Sequence, residues 1–148
     1  MAISQAVCNV FKRELLKGNH DLDGGATYKI ALFTSSATLG AATANYAAQA
    51  SDNQVANGSG YTTGGATLTS PTVTMSTTVS YVDFADVSWT SASFTANGAL
   101  IYQSSGDAAS GDNAFLVLAF GGDFTASSGT FTIQFPTAGG GSELLRLS

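Results

Sequence analysis

The chain has 148 residues, enough for one compact domain, and its ten Asp and Glu against five Lys and Arg leave a formal charge of -5. Only 10% of the residues are charged, far below the roughly one quarter usual for a globular domain, so hydroxyls must keep the surface soluble or partners must cover much of it. The acidic balance excludes a phosphate backbone as the main partner, since that would need clustered cations, and a lone Cys8 excludes an internal disulfide framework.

Lys12, Arg13 and Glu14 interrupt the region where a signal peptide needs an uncharged apolar run, and no stretch approaches the length of a membrane span. The expectation is a soluble product of the cytoplasm with no membrane partner. Over residues 3–17 the apolar positions Ile3, Val7, Val10, Phe11 and Leu15 recur every three or four residues, which predicts one amphipathic helix stopped at Gly18 and Asn19. It is the only substantial helix expected.

Residues 27–34 (TYKIALFT) alternate as a strand, with Tyr28, Ile30 and Leu32 on one side and Lys29, Ala31 and Phe33 on the other. Residues 35–60 are rich in Ala, Asn, Ser and Gly and predict a long flexible loop anchored by Leu39 and Tyr46, the kind of segment where partner contacts concentrate. In residues 60–70 the β-branched Thr positions around Gly64 and Gly65 predict a strand broken by a bulge or tight bend. A short edge strand follows over 71–75.

The central stretch is residues 81–102, YVDFADVSWTSASFTANGALIY, which reads as strands paired with one another and holds the only Trp. Residues 103–113 predict a hairpin tip, 114–120 (AFLVLAF) a strand covered on both faces, 121–129 a further turn, and 130–136 (TFTIQFP) a strand with Phe131, Ile133 and Phe135 inward. After the glycines at 139–141, the segment 142–148 can add a strand to its own sheet or to another subunit. The fold class expected is therefore mainly β: a single-domain antiparallel β-sandwich or barrel, jelly-roll-like, with one N-terminal amphipathic helix.

No catalytic or cofactor signature accompanies these elements. The single histidine, His20, lacks a Gly-x-Ser-x-Gly partner motif, and neither a Gly-Lys phosphate loop nor GxGxxG occurs. Cys8 reads as a small buried hydrophobe. Asp21 and Asp23 have the spacing that begins a calcium loop, but Gly25 occupies the next ligand position, so a polar turn is expected. Asp107 and Asp112 read as solvated tip residues, and Asp83 and Asp86 as exposed or turn-capping. The expectation is a non-enzyme without metal or cofactor.

The stretches VCNVFKRELLKGNHD, YKIALFTSSATL, GYTTGGATL, YVDFADVSWTSASFTANGALIY and FTIQFPTA, in that order, resemble small virion-associated structural proteins of tailed bacteriophages. The resemblance covers most of the chain and implies a virion component, foremost a head decoration (cement) protein that binds the major capsid protein and itself as a symmetric homo-oligomer, a trimer among the options. The chain departs from that group mainly in the loop over 41–57 and in the Gly-Asp tips. A tail, head-to-tail connector or fibre-like component is the alternative within the virion. A carbohydrate-binding module with Trp89, Tyr61 and Tyr102 as stacking platforms is the alternative outside it. The contact candidates are Val10, Phe11, Leu15 and Leu16 on the helix, Tyr46 in the loop, and Leu144, Leu145 and Leu147 near the C-terminus.

Overall fold

The computed structural model describes residues 2–51, 53–108, 111–138, 141 and 143–148. In chain order the elements are β1 (Ala6–Val7), α1 (Asn9–Leu16), β2 (Thr27–Phe33), α2 (Tyr46–Gln49), β3 (Ala66–Thr67), β4 (Thr72–Ser76), β5 (Val79–Asp83), β6 (Val87–Ser105), β7 (Ala114–Ile133) and β8 (Leu145–Leu147). They make a five-stranded sheet ordered β1-β7-β6-β2-β3 and a three-stranded sheet ordered β4-β5-β8, with every strand pairing antiparallel. The protein is mainly β, as expected. Both sheets keep open edges, so neither closes into the barrel that the strand spacing allowed.

The β6–β7 hairpin dominates the architecture. Its strands run 19 and 20 residues, where strands of about five or six are usual. Near the tip, Ala99, Leu100 and Ile101 pair with Leu118, Val117 and Leu116, and β2 lies along the other side of β6 through Ala31↔Leu100 and Ile30↔Ile101. These residues carry the densest apolar surface in the chain, and Ile30, Leu32, Leu100, Ile101, Phe115 and Val117 are fully buried there. Burying each such side chain contributes roughly 1.5–3 kcal/mol.

Residues 121–129 were expected to turn, but they continue β7 as an extended strand. Gly121, Gly122 and the Ser127–Ser128–Gly129 run look like turn chemistry because they are small and polar. Here they absorb irregularities in the ladder: the register shifts between Ala96 and Gly98 and between Ala92 and Phe94, with Ser128 in the left-handed region at φ 52°. The strand expected over 114–120 and the one over 130–136 are therefore two ends of one strand.

The central stretch also needs correction. β5 and β6 do not pair with each other: β5 lies between β4 and β8, and β6 between β7 and β2. Residues 84–86 pass the chain from one sheet to the other, with Phe84 buried at the crossing.

The loop over 35–60 is anchored more firmly than its composition suggests. It supplies β2 with the edge partners that a strand would give: Val55 N donates to Leu32 O at 2.9 Å, Thr34 N to Asn53 O at 2.9 Å, and Leu32 N to the Tyr61 hydroxyl at 2.9 Å. Ala37, Leu39 and Val55 are buried beneath it. In the strand expected over 60–70 only Ala66–Thr67 is regular, and Gly65 takes φ 78° because any Cβ there would collide with the Ile30 carbonyl.

At the N-terminus the predicted helix forms only over Asn9–Leu16. Its first part is extended because Ala6 and Val7 pair with Val117 and Leu116, and Ser4 N donates to Leu39 O at 2.9 Å. Covering the β7 edge outweighs helical periodicity in this segment. The amphipathic pattern is correspondingly reduced: α1 buries Phe11 and Glu14, while Leu16 stays 91% exposed.

This packing separates two leucines that look alike in sequence. Leu100→Ala is expected to cost about 2–5 kcal/mol through cavity formation, and Leu16→Ala no more than about 0.5 kcal/mol. Urea denaturation followed by tryptophan fluorescence measures both.

Candidate interaction surface

The groups able to do chemistry are spread apart and bound up in structure. Cys8 is fully buried, and that burial pushes its thiol up to about 12, so it holds its proton and packs as a hydrophobe. Asp83 Oδ1 accepts from Phe84 N at 2.9 Å and Asp86 Oδ1 from Phe135 N at 2.8 Å, which makes both caps of local backbone. Asp21 Oδ1 accepts from Asp23 N at 2.9 Å within the turn that follows His20. Asp112 pairs with Arg13 and ties the hairpin tip to α1. Among the described residues no group of three or more His, Cys, Asp or Glu gathers in one place.

Glu14 and His20 sit side by side under α1. The Glu14 carboxylate, buried, accepts from Asn19, Arg13 and Lys17, and these bonds hold it down to about 2. His20 is edge-on to Phe11, with ring centroids 4.8 Å apart, and its Nδ1 lies 2.9 Å from the Tyr28 hydroxyl. Tyr28 keeps its proton because burial raises its pKa, so the phenol donates and Nδ1 accepts. Nε2 then carries the ring proton, buried beside the Asp112 backbone without a hydrogen bond of ordinary geometry. Burial lowers the His20 pKa to about 4, against a smaller opposing pull from Glu14 and the Asp112 backbone. This is a neutral packing histidine, and nothing nucleophilic stands next to it.

What the surface does offer is apolar. Of the large hydrophobic side chains that are exposed among the described residues, Val73 (46%), Met75 (71%) and Leu147 (52%) share one face of the three-stranded sheet. Strand alternation puts them there: Val73 pairs with Val82 and Val82 with Leu145, while Met75 pairs with Ser80 and Ser80 with Leu147. Val82 and Leu145 at the inner end of this face are buried, and the outer end is open. Between the face and the Leu15–Asp23 region lies a cleft of about 540 Å³, lined by Leu15, Leu22, Asp21 and Asp23 on one side and by Val73, Val82 and Leu147 on the other.

A second apolar surface lies on the far half of the hairpin. Tyr61, Trp89, Phe94, Phe131, Phe120 and Phe124 form a chain of ring contacts with centroid separations of 5.2–6.3 Å. The chain begins in the core at Tyr61 and ends at Phe124, which is 54% exposed. Phe120, Phe124, Phe131 and Ile133 line a shallow hollow of about 230 Å³ there.

The contact candidates divide accordingly. Phe11 and Leu145 lie in the core of the single chain: Phe11 packs on Phe115 with ring centroids 4.3 Å apart, and Leu145 pairs with Val82. Tyr46 stacks on Tyr102 at 4.2 Å and donates to Gln54. Val10, Leu15 and Leu144 are half-buried against the core. Leu16 and Leu147 remain on the surface. The carbohydrate platforms fail on burial, since Trp89, Tyr61 and Tyr102 are all inside and the Tyr102 hydroxyl donates to Gly64 O at 2.8 Å. The residues missed from sequence are Val73, Met75 and Phe124. The alternation over 72–76 was the available signal for the first two, whereas Phe124 was hidden in a segment read as a turn.

Comparison with protein-family models, curated proteins and solved structures gives no match.

His20 makes the fold sensitive to acid. The unfolded ring takes up a proton below its ordinary 6.5, but the folded ring does so only near 4. Stability therefore rises with pH across that window and is lost as pH falls through it, by up to about 3 kcal/mol. Glu14 acts in the same direction lower down, its contribution present above 4.5 and lost on approach to about 2. Urea midpoints should fall between neutral pH and pH 4, and His20→Gln should flatten that slope. An unchanged slope would show that another group controls it.

Proposed function

We propose that this chain is a non-enzymatic structural protein of a tailed-bacteriophage virion, a head decoration protein that binds the major capsid protein from outside. Its two antiparallel sheets serve as a sandwich-like brick. The resemblance of its strand-forming stretches supplies the particle, and one structural observation supports the role: among the described residues, large apolar side chains stand exposed on the sheet faces, while Cys8 and His20 are buried and Asp83 and Asp86 cap local backbone. Such faces suit contacts that must hold and not turn over.

The aromatic end of the hairpin is the surface assigned to the capsid. Its rings are braced on Trp89 and Tyr61 in the core, and it lies along the part of β6 that β2 does not pair with. A preformed aromatic anchor binds with little loss of side-chain freedom.

Two measurements test this. Mass spectrometry of purified particles should find the chain in numbers that match the capsid lattice; a single ring's worth would place it at a connector or tail, and absence would end the virion reading. Phe124→Glu should abolish binding to heads with little change in melting temperature, since the side chain is exposed and its ring contact is with Phe120 at the surface end of the row.

A further inference from the structure

Among the described residues each sheet edge is blunted in a recognisable way, except one. β1 and β3 are two-residue strands, too short to template a partner. The outer edge of β2 is filled by residues 53–61. β6 beyond Phe94 is met by Ser59, whose carbonyl accepts from Ser93 N at 2.9 Å, and Gly60 sits so close that a Cβ would lie 2.7 Å from the Thr90 and Ser91 carbonyls. β7 is broken by bulges, and β8 carries Arg146. β4 has none of these devices. Thr72–Ser76 contains no charge and no proline, pairs with β5 without a register shift, and is exposed at all five positions.

We infer that β4 pairs antiparallel with β4 of a second copy of this chain across a twofold axis at Thr74, joining two three-stranded sheets into one of six strands. The sequence of the strand suits itself. About Thr74, Val73 falls opposite the partner copy's Met75, and Thr72 opposite its Ser76, so apolar meets apolar on one face and hydroxyl meets hydroxyl on the other. In an isologous contact each pair occurs twice, and only the residue on the axis, Thr74, faces its own copy. In a chain of net charge -5, an uncharged edge is what permits that without repulsion. Pairing sets Val73 and Met75 of one copy beside Met75 and Val73 of the other, so that each gains an apolar cross-strand neighbour and the two apolar faces run on as one. A foreign strand would need neither the symmetry nor the absence of charge. The contact closes at two copies, and it holds whether or not the chain belongs to a virion.

The test is sedimentation velocity over a concentration series, with cysteine cross-linking to read the register. The wild-type chain should form a dimer. Thr74→Lys puts two like charges face to face at an exposed position and should weaken the dimer roughly tenfold or more, with an unchanged circular dichroism spectrum and melting temperature. Under mild oxidant, Thr74→Cys should give a covalent dimer because self-paired Cα atoms lie within disulfide reach. Thr72→Cys alone should not, but mixed with Ser76→Cys it should cross-link. The native Cys8 is buried and gives no background. A monomer at all concentrations, or an oligomer indifferent to Thr74→Lys, or cross-linking at position 72 in preference to 74, would each overturn the inference.

Discussion

The pairing of β6 with β7 is the constraint from which the other features descend. Once Leu100 and Ile101 are set against Val117 and Leu116, the tip of the hairpin becomes a wall that needs cover on its face and on both sides. β2 takes one side and β1 the other, and Phe11 and His20 close part of the face against Phe115 and Tyr28. The three-residue passage from β5 into β6 then fixes where the small sheet sits. Along the far half, Trp89, Ala92 and Ala96 extend the same core, and bulges in β7 bring Phe120 back against Phe131 before the aromatic row reaches the surface at Phe124.

This arrangement explains why polar side chains here build the fold and leave no reactive centre. Glu14 spends its charge on Arg13, Lys17 and Asn19; Asp86 caps the exit of β7; Asn113 donates to Gln103 O across the hairpin tip at 2.9 Å. Tyr61 uses its hydroxyl as a surrogate strand for β2. Arg13, Lys17, Glu14 and Asp112 are joined in ion pairs, Asp83 and Asp86 cap local backbone, and much of the remaining surface is Thr, Ser and a few apolar patches. Association through sheet edges and faces follows from such a surface more readily than binding of a small molecule.

Strands with a clear two-residue period, β2 and the alternation of Phe131, Ile133 and Phe135, were legible before the structure, as was the inner β7 segment from its short continuous apolar run. The amphipathic helix expected over 3–17 is not what forms there: only Asn9–Leu16 is helical, because the spacing of Ile3 and Val7 fits a helix face as well as a strand and the unmet edge of β7 draws Ala6 and Val7 into pairing. The turn predicted over 121–129 failed for a related reason. Gly and Ser mark places where the backbone can bend, but a cross-strand partner can hold the same residues extended with bulges. The pairing of β5 with β4 and β8 was equally invisible, since alternation says which face a residue takes and nothing about which strand lies beside it. The apolar surface was only half legible: Leu147 was among the contact candidates, but Val73 and Met75 become a patch only when the small sheet forms, and Phe124 only when the hairpin does.

The most direct test of this account is nuclear Overhauser contact between the two halves of the hairpin in solution. The structure requires cross-strand backbone contacts from Trp89 to Phe131, Ala92 to Gly129 and Phe94 to Ala126. Finding them would establish β7 as one strand through its glycines. A pattern of sequential turn contacts over 121–129, with none reaching β6, would mean that the hairpin ends early and that neither the aromatic arm nor the surface assigned to the capsid exists as described.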